Sequence, residues 1–250
     1  MFRQPAHSPD SPLRPSGAAH GSRQTFDRQV GQLKKRLIAE ATSAVSMLES
    51  ALDALWKRDA DAAREVRRRD DRIDEEEVAI EAECFRMLAL EHPFARDFRV
   101  IAFALKVNAD LERVADHASG IAKVCMKLAE QPAFHWPTAM AEMGQRVPVM
   151  CHSLLRAVLD EDANVARQIV AEDETIDALE KRLFEEINEL ILKDPQVSRT
   201  GLLLYRIGRD LERIGDLMKN IAEDVIYLAT GTIVRHEAKR AQRQAQQKQG

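Results

Sequence analysis

Apolar residues recur three and four positions apart through most of the chain. Phe26, Val30, Leu33, Leu37, Ala41, Ala44, Leu48, Leu52 and Leu55 form the first such stripe, which is the spacing of one face of an α-helix. It predicts one long helix that stops near Lys57-Arg58-Asp59. A second helix follows to about Glu91. There His92-Pro93 breaks it, because proline lacks a backbone donor and restricts the residue before it. A third helix runs from about Ala95 to Glu130, and the run QPAFHWP, with Pro132 and Pro137, reads as a linker.

The pattern is then written again. A fourth helix ends near Asp160, with Gly144 and Pro148 expected to kink it or delay its start. A fifth covers about Asp162 to Lys193 and is broken by Asp194-Pro195. A sixth covers about Val197 to Thr230, with Gly231 as its C-cap. Asp59-Ala60-Asp61-Ala62-Ala63-Arg64 resembles Asp162-Ala163-Asn164-Val165-Ala166-Arg167, and Asp70-Asp71-Arg72-Ile73-Asp74 resembles Asp173-Glu174-Thr175-Ile176-Asp177, both at an offset of 103 residues. After the proline break the offset falls to 100, so the second copy has the shorter loop. The expected architecture is all-α: two tandem three-helix bundles, residues 25–131 and 138–232, joined by a linker at 132–137. Each bundle would bury its own seam and pack on the other. Residues 1–24, rich in Pro, Ser, Gly and His, read as a flexible tail, and residues 233–250 as a solvated basic tail.

Composition narrows the class. The chain is 45% hydrophobic and 31% charged with only 5% aromatics, too apolar for disorder and too poor in aromatic and β-branched residues for a sheet. A formal net charge of −4 gives no footprint for nucleic acid. Cys84, Cys125 and Cys151 form no CxxC and read as core thiols in a reducing compartment. No apolar run at the N-terminus suits a signal peptide, and no stretch reaches the length of a membrane span. A cytoplasmic protein is expected, reaching a membrane only through its partners.

The chemistry lies in a repeated heptapeptide: DLERVAD at Asp110 to Asp116 and DLERIGD at Asp210 to Asp216. In the third and sixth helices the seam residues Ala104, Val107, Leu111, Val114 and Ala118 recur 100 positions later as Leu204, Ile207, Leu211, Ile214 and Met218. On that heptad Glu112 and Asp116 stand one turn apart on the face opposite the seam. In the second copy the ridge continues as Glu212, Asp216, Asn220 and Glu223. In the first it reads Glu112, Asp116, Gly120 and Lys123, acidic only in its first half. The preceding helix of each repeat adds a pair at the same spacing, Asp70 with Asp74 and Asp173 with Asp177. Helices joined by a short loop are antiparallel neighbours, so each repeat brings two acidic pairs onto facing ridges. Crowded carboxylates need protons, arginines or a cation. Oxygen ligands suit Fe, Mn, Mg, Ca or Zn. Arg113 and Arg213 offer a plainer account, surface ion pairs worth about 0–1 kcal/mol each.

These motifs and the tandem plan resemble the PhoU family, accessory proteins of the bacterial phosphate-specific transport system. The resemblance covers residues 25 to 232. It rests on Asp70…Asp74, Glu112…Asp116, Asp173…Asp177 and Glu212…Asp216 as copies of the family's E(D)xxxD motif, on Asp97-Phe98-Arg99, and on Asn220-Ile221-Ala222-Glu223. It implies a non-catalytic regulator that links the ATPase of the phosphate ABC transporter to a membrane sensor histidine kinase and represses the phosphate-starvation response. It further implies a multinuclear Fe or Zn cluster on the acidic ridges, with Mn or Mg as alternatives. Gly120 and Lys123 depart from the fuller ridge of the second copy, so the resemblance points to the second repeat as the stronger cluster site. A homodimer is expected from exposed seam edges. Two rivals stand beside this reading. One is a metal-free helical adaptor with an acidic docking face. The other is a carboxylate-bridged di-iron enzyme, which would need Glu-x-x-His motifs that neither repeat has. His117 reads as a surface or interface histidine, and Trp136 as packing over the joint between halves.

Overall fold

A computed structural model describes residues 17–234. The basic tail beyond 234 and the first 16 residues lie outside them. Helix α1 (Gly17–Lys57) starts eight residues before the predicted tail boundary. No proline lies between Gly17 and Phe26, and the Arg23–Asp27 pair at 3.1 Å supports the early turns. Buried Phe26 is the first side chain to anchor α1 in the core. The helix ends where Arg58 turns left-handed (φ 53°). Asp59 then caps the next helix, accepting hydrogen bonds from the backbone of Asp61 and Ala62 at 2.9 Å each.

The predicted second helix is two: α2 (Ala60–Arg68) and α3 (Asp70–Glu91). The interruption at Arg69 has tertiary causes. Its guanidinium reaches back to α1 and donates to Ser46 Oγ (3.0 Å) and Ser50 Oγ (3.1 Å). His92 ends α3 in the left-handed region (φ 46°), and α4 (Arg96–Ala129) returns antiparallel to it. In the second repeat, α5 (Thr138–Asp160), α6 (Ala163–Lys193) and α7 (Ser198–Thr230) follow the same order. Asp162 caps α6 as Asp59 caps α2. Pro195–Val197 forms one 3-10 turn before α7, and Gly231 closes α7 at φ 74°, donating to the Tyr227 carbonyl at 2.8 Å.

Helix α5 starts without delay and runs unbroken through Pro148. Gly144 has a packing role: a Cβ there would lie 2.5 Å from Cζ2 of Trp56. Trp56 in turn meets Trp136 edge-on, ring centroids 4.9 Å apart, and Phe134 meets Trp136 edge-on at 4.8 Å. The linker therefore does pack over the joint between halves.

Each repeat buries its own seam, and the two bundles meet through α1 against α5 and α4 against α7. Leu37, Val107 and Leu111 face Cys151, Leu154 and Met218 around this junction. All three cysteines are buried free thiols. Burial pushes Cys84 and Cys125 up to about 11 and Cys151 to about 12, as expected of core thiols. Among the described residues no helix is long and apolar enough to cross a membrane.

Candidate functional site

The antiparallel pairs α3–α4 and α6–α7 carry the two acidic ridges. In the first repeat Asp70 and Asp74 lie in the opening turns of α3, and Glu112 and Asp116 at the middle of α4. Asp74 and Asp116 are exposed, whereas Asp70 and Glu112 are half-buried. Burial raises the pKa of Asp70, the charges of Asp116, Asp74 and Asp71 add to it, and the Ser119 hydroxyl opposes it. Burial also raises Glu112, with Asp116, Asp74 and Glu77 pushing the same way and Arg113 opposing. The four predicted carboxylates thus share one field. Arg113 is turned aside, pairing with Asp110 at 3.2 Å. Asp70 Oδ1 is fully shielded and has no hydrogen-bond partner.

The second ridge has the same acids and different company. Asp173 is buried, and the Lys219 ammonium donates directly to its Oδ2. Burial works against this ammonium. The Asp173 contact and the charges of Asp216 and Asp177 nevertheless hold its pKa above the ordinary lysine value. Burial raises Asp177, helped by Asp173 and Asp216 and opposed by Lys219 and Lys181. Burial also raises Glu212; Arg209 and Arg213 work against it, and Asp216 and Asp177 with it. Both guanidiniums lie 3.6 Å from Glu212 Oε2, and Arg213 lies 3.5 Å from Asp216. Asn220 is exposed. Glu223, about 10 Å further along α7 than Asp216, lines a separate groove with Lys106 and Asp224.

Four residues of consequence had no place among the sequence candidates. Lys219, Ser119 and Arg209 set the charge of the two sites, and single letters on a polar face carry no sign of where they reach. The fourth, Glu40, left a trace: it lies three residues after Leu37 and seven after Leu33, in a slot of the apolar stripe. It is 3% exposed, and neither carboxylate oxygen has a hydrogen-bond partner. Burial pushes its pKa up to about 8, with Glu76, Glu77 and Glu112 adding and Arg36 opposing. His117 is an interface residue, its Nδ1 3.0 Å from Asp210 Oδ1 across the junction of the repeats.

The donors decide which ions fit. The first ridge offers carboxylate oxygens alone, one of them buried without a proton donor, which suits a hard cation. The second ridge has a shielded carboxylate oxygen without a hydrogen-bond partner as well, Glu212 Oε2, but it already holds an ammonium on Asp173 and two guanidiniums 3.6 Å from Glu212, and so fits a metal less well. Among the described residues no three His, Cys, Asp or Glu side chains form a group placed to hold a metal ion.

Comparison with known proteins places this arrangement. The family model of the PhoU domain matches twice, at residues 38–125 and 140–225. This chain belongs to the PhoU family. The two matches coincide with the two bundles, so the internal repeat is a tandem PhoU domain. The phosphate-specific transport system accessory protein PhoU homolog of Deinococcus radiodurans is 37% identical over 186 residues, covering 74% of this chain and 87% of the relative. The homolog of Pseudomonas aeruginosa is 35% identical over 221 residues, covering 87% and 90%. Crystal structures agree on the PhoU fold. PhoU from Pseudomonas aeruginosa superposes with a TM-score of 0.79 at 34% identity, covering 83% of this chain and all of that one. The phosphate transport system regulatory protein PhoU from Streptococcus pneumoniae gives 0.77 at 32% identity, covering 84% and 99%.

Proposed function

We propose that this chain is a non-catalytic accessory protein of phosphate-specific transport. In this reading it couples the ATPase of a phosphate ABC transporter to a membrane sensor histidine kinase and represses the phosphate-starvation response when phosphate is plentiful. The observation that carries the reading is the tandem PhoU domain, which this chain has in common with relatives named as accessory proteins of that transport system. The tips of the α3–α4 and α6–α7 hairpins support protein docking: Phe94 is 83% exposed, and Leu90, Phe98, Leu192 and Leu202 are exposed beside it or at the other tip. The protein acts at the membrane through these partners, as a homodimer.

Asp70, Asp74, Glu112 and Asp116 would hold an oxygen-ligated cation on the first ridge, Fe or Zn as a multinuclear cluster, with Mn or Mg as alternatives. Bound there, the metal would supply the positive charge that an acidic ridge lacks toward phosphate or a phosphorylated partner. A second reading, a metal-free adaptor with an acidic docking face, is favoured by the second ridge, where the Lys219 ammonium already sits on Asp173 and two guanidiniums lie at Glu212.

The test is deletion of the gene, with a phosphate-responsive promoter read out in high phosphate. Derepression, reversed by the wild-type chain, is the expected result. Continued repression would sink the regulatory role. Failure of the Glu112→Gln/Asp116→Asn chain to restore repression supports metal on the first ridge, provided wild-type protein purified without a tag contains Fe or Zn. Full metal-free function supports the adaptor.

A further inference from the structure

The two repeats differ at one structurally matched position. Ser119 on α4 and Lys219 on α7 are 100 residues apart and occupy the same place in the repeat. Each faces the matched aspartate of the neighbouring helix, Asp70 or Asp173. The serine leaves Asp70 Oδ1 shielded and unpartnered. The lysine places its ammonium on Asp173, whose side chain is 3% exposed, within the field of Asp177 and Asp216. Its own side chain is 33% exposed, so the aliphatic stem spans from solvent to the buried carboxylate.

We infer that Lys219 is the resident cation of the second ridge, taking the charge position a metal would need beside Asp173, Asp177 and Asp216. The inference deepens the proposed function and rests on it for the first ridge. The physical reason is competition. An ammonium and a divalent ion both compensate the same carboxylates, and an ammonium tethered four carbons from the backbone needs no recruitment from solution. Admitting a metal would require Lys219 to leave and Asp173 to exchange a buried partner for a new one, with the displaced ammonium still nearby to repel the ion. Arg209 and Arg213, each 3.6 Å from Glu212 Oε2, add positive charge that repels a second cation there, although neither hydrogen-bonds that oxygen. In the first repeat the residue matched to Arg209 is Ala109, and Arg113 turns to Asp110. The longer acidic run of the second copy, which favours that copy as the metal site on sequence alone, is therefore the copy that neutralises itself.

Untagged protein would be dialysed against Fe2+ under anaerobic conditions, and separately against Zn2+, and bound metal measured by plasma mass spectrometry. Wild type should lose its metal in the Glu112→Gln/Asp116→Asn variant and keep it in Glu212→Gln/Asp216→Asn. Lys219→Ser, which copies the first repeat, should raise the content about twofold, and the gain should vanish when Glu212→Gln/Asp216→Asn is added. Ser119→Lys, the reciprocal change, should empty the first ridge. It keeps the idea open to refutation if Lys219→Ser does not fold, with helical content checked by circular dichroism. No gain in a folded Lys219→Ser chain, or wild-type metal lost mainly with Glu212 and Asp216, overturns the inference. A metal-free wild type with metal gained by Lys219→Ser supports the role of Lys219 and removes the first ridge as a metal site.

Discussion

Replacing Glu40 with methionine, the residue at the matched position 143 of the second repeat, should stabilise the protein, and by an amount that depends on pH. The side chain is 3% exposed, has no hydrogen-bond partner for either oxygen, and sits among Glu76 and Glu77 of α3 and Glu112 of α4. Arg36, the nearby cation, pairs with Glu76 at 2.8 Å. In the unfolded chain Glu40 ionises near 4.5, whereas in the fold it holds its proton to about 8. Between those values the folded state binds more protons than the unfolded one, so stability falls as pH rises and levels off above about 8. At about 1.4 kcal/mol per pH unit, the cost approaches about 5 kcal/mol at pH 8.5 and is under about 1 kcal/mol at pH 5. Methionine removes this dependence and keeps the volume. Urea unfolding of both proteins from pH 5 to 9, with a chelator so that no cation sits at Glu112, measures the difference. Stabilisation by Glu40→Met should grow from pH 5 to about 8 and then level off, with Glu40→Gln showing the same pH trend at smaller gain. A difference constant to within about 0.5 kcal/mol would refute the reasoning and mean that Glu40 is ionised and compensated in the fold.

Other outcomes follow from the packing. Gly144→Ala places a methyl 2.5 Å from the Trp56 ring, and overpacking of this kind costs about 1–3 kcal/mol; urea unfolding should show the loss, with a shift in tryptophan emission from the Trp56–Trp136 pair. Asp59→Ala and Asp162→Ala each remove a cap that accepts two backbone hydrogen bonds, and each should cost about 1 kcal/mol by the same assay; a loss under about 0.3 kcal/mol at both would contradict the capping role. The native protein should leave a thiol reagent almost unconsumed at pH 8, with all three cysteines reacting in guanidinium chloride, because each thiol is buried and its pKa lies at about 11 or 12. Rapid native labelling would show that one of these helices opens readily.

Whatever depends on neighbours along the chain was already legible in the amino-acid order. The apolar spacing of three and four placed the helices, His92-Pro93 and Asp194-Pro195 ended two of them, and the offsets of 103 and 100 residues exposed the repeat. The same local geometry put Glu112 above Asp116 and Glu212 above Asp216, since residues four apart share a helix face whatever surrounds them. Tertiary structure decided the rest. Arg69 interrupts α2 and α3 because Ser46 and Ser50 wait for it on α1. Pro148 leaves α5 continuous, and the neighbouring Gly144 leaves room for a tryptophan from the other repeat. Glu40 reads as a charged letter until the fold surrounds it with apolar residues and other acids. Lys219 reads as a solvated lysine until a buried aspartate on the next helix captures its ammonium. A long flexible side chain can reach many partners, and only the packed neighbours select one.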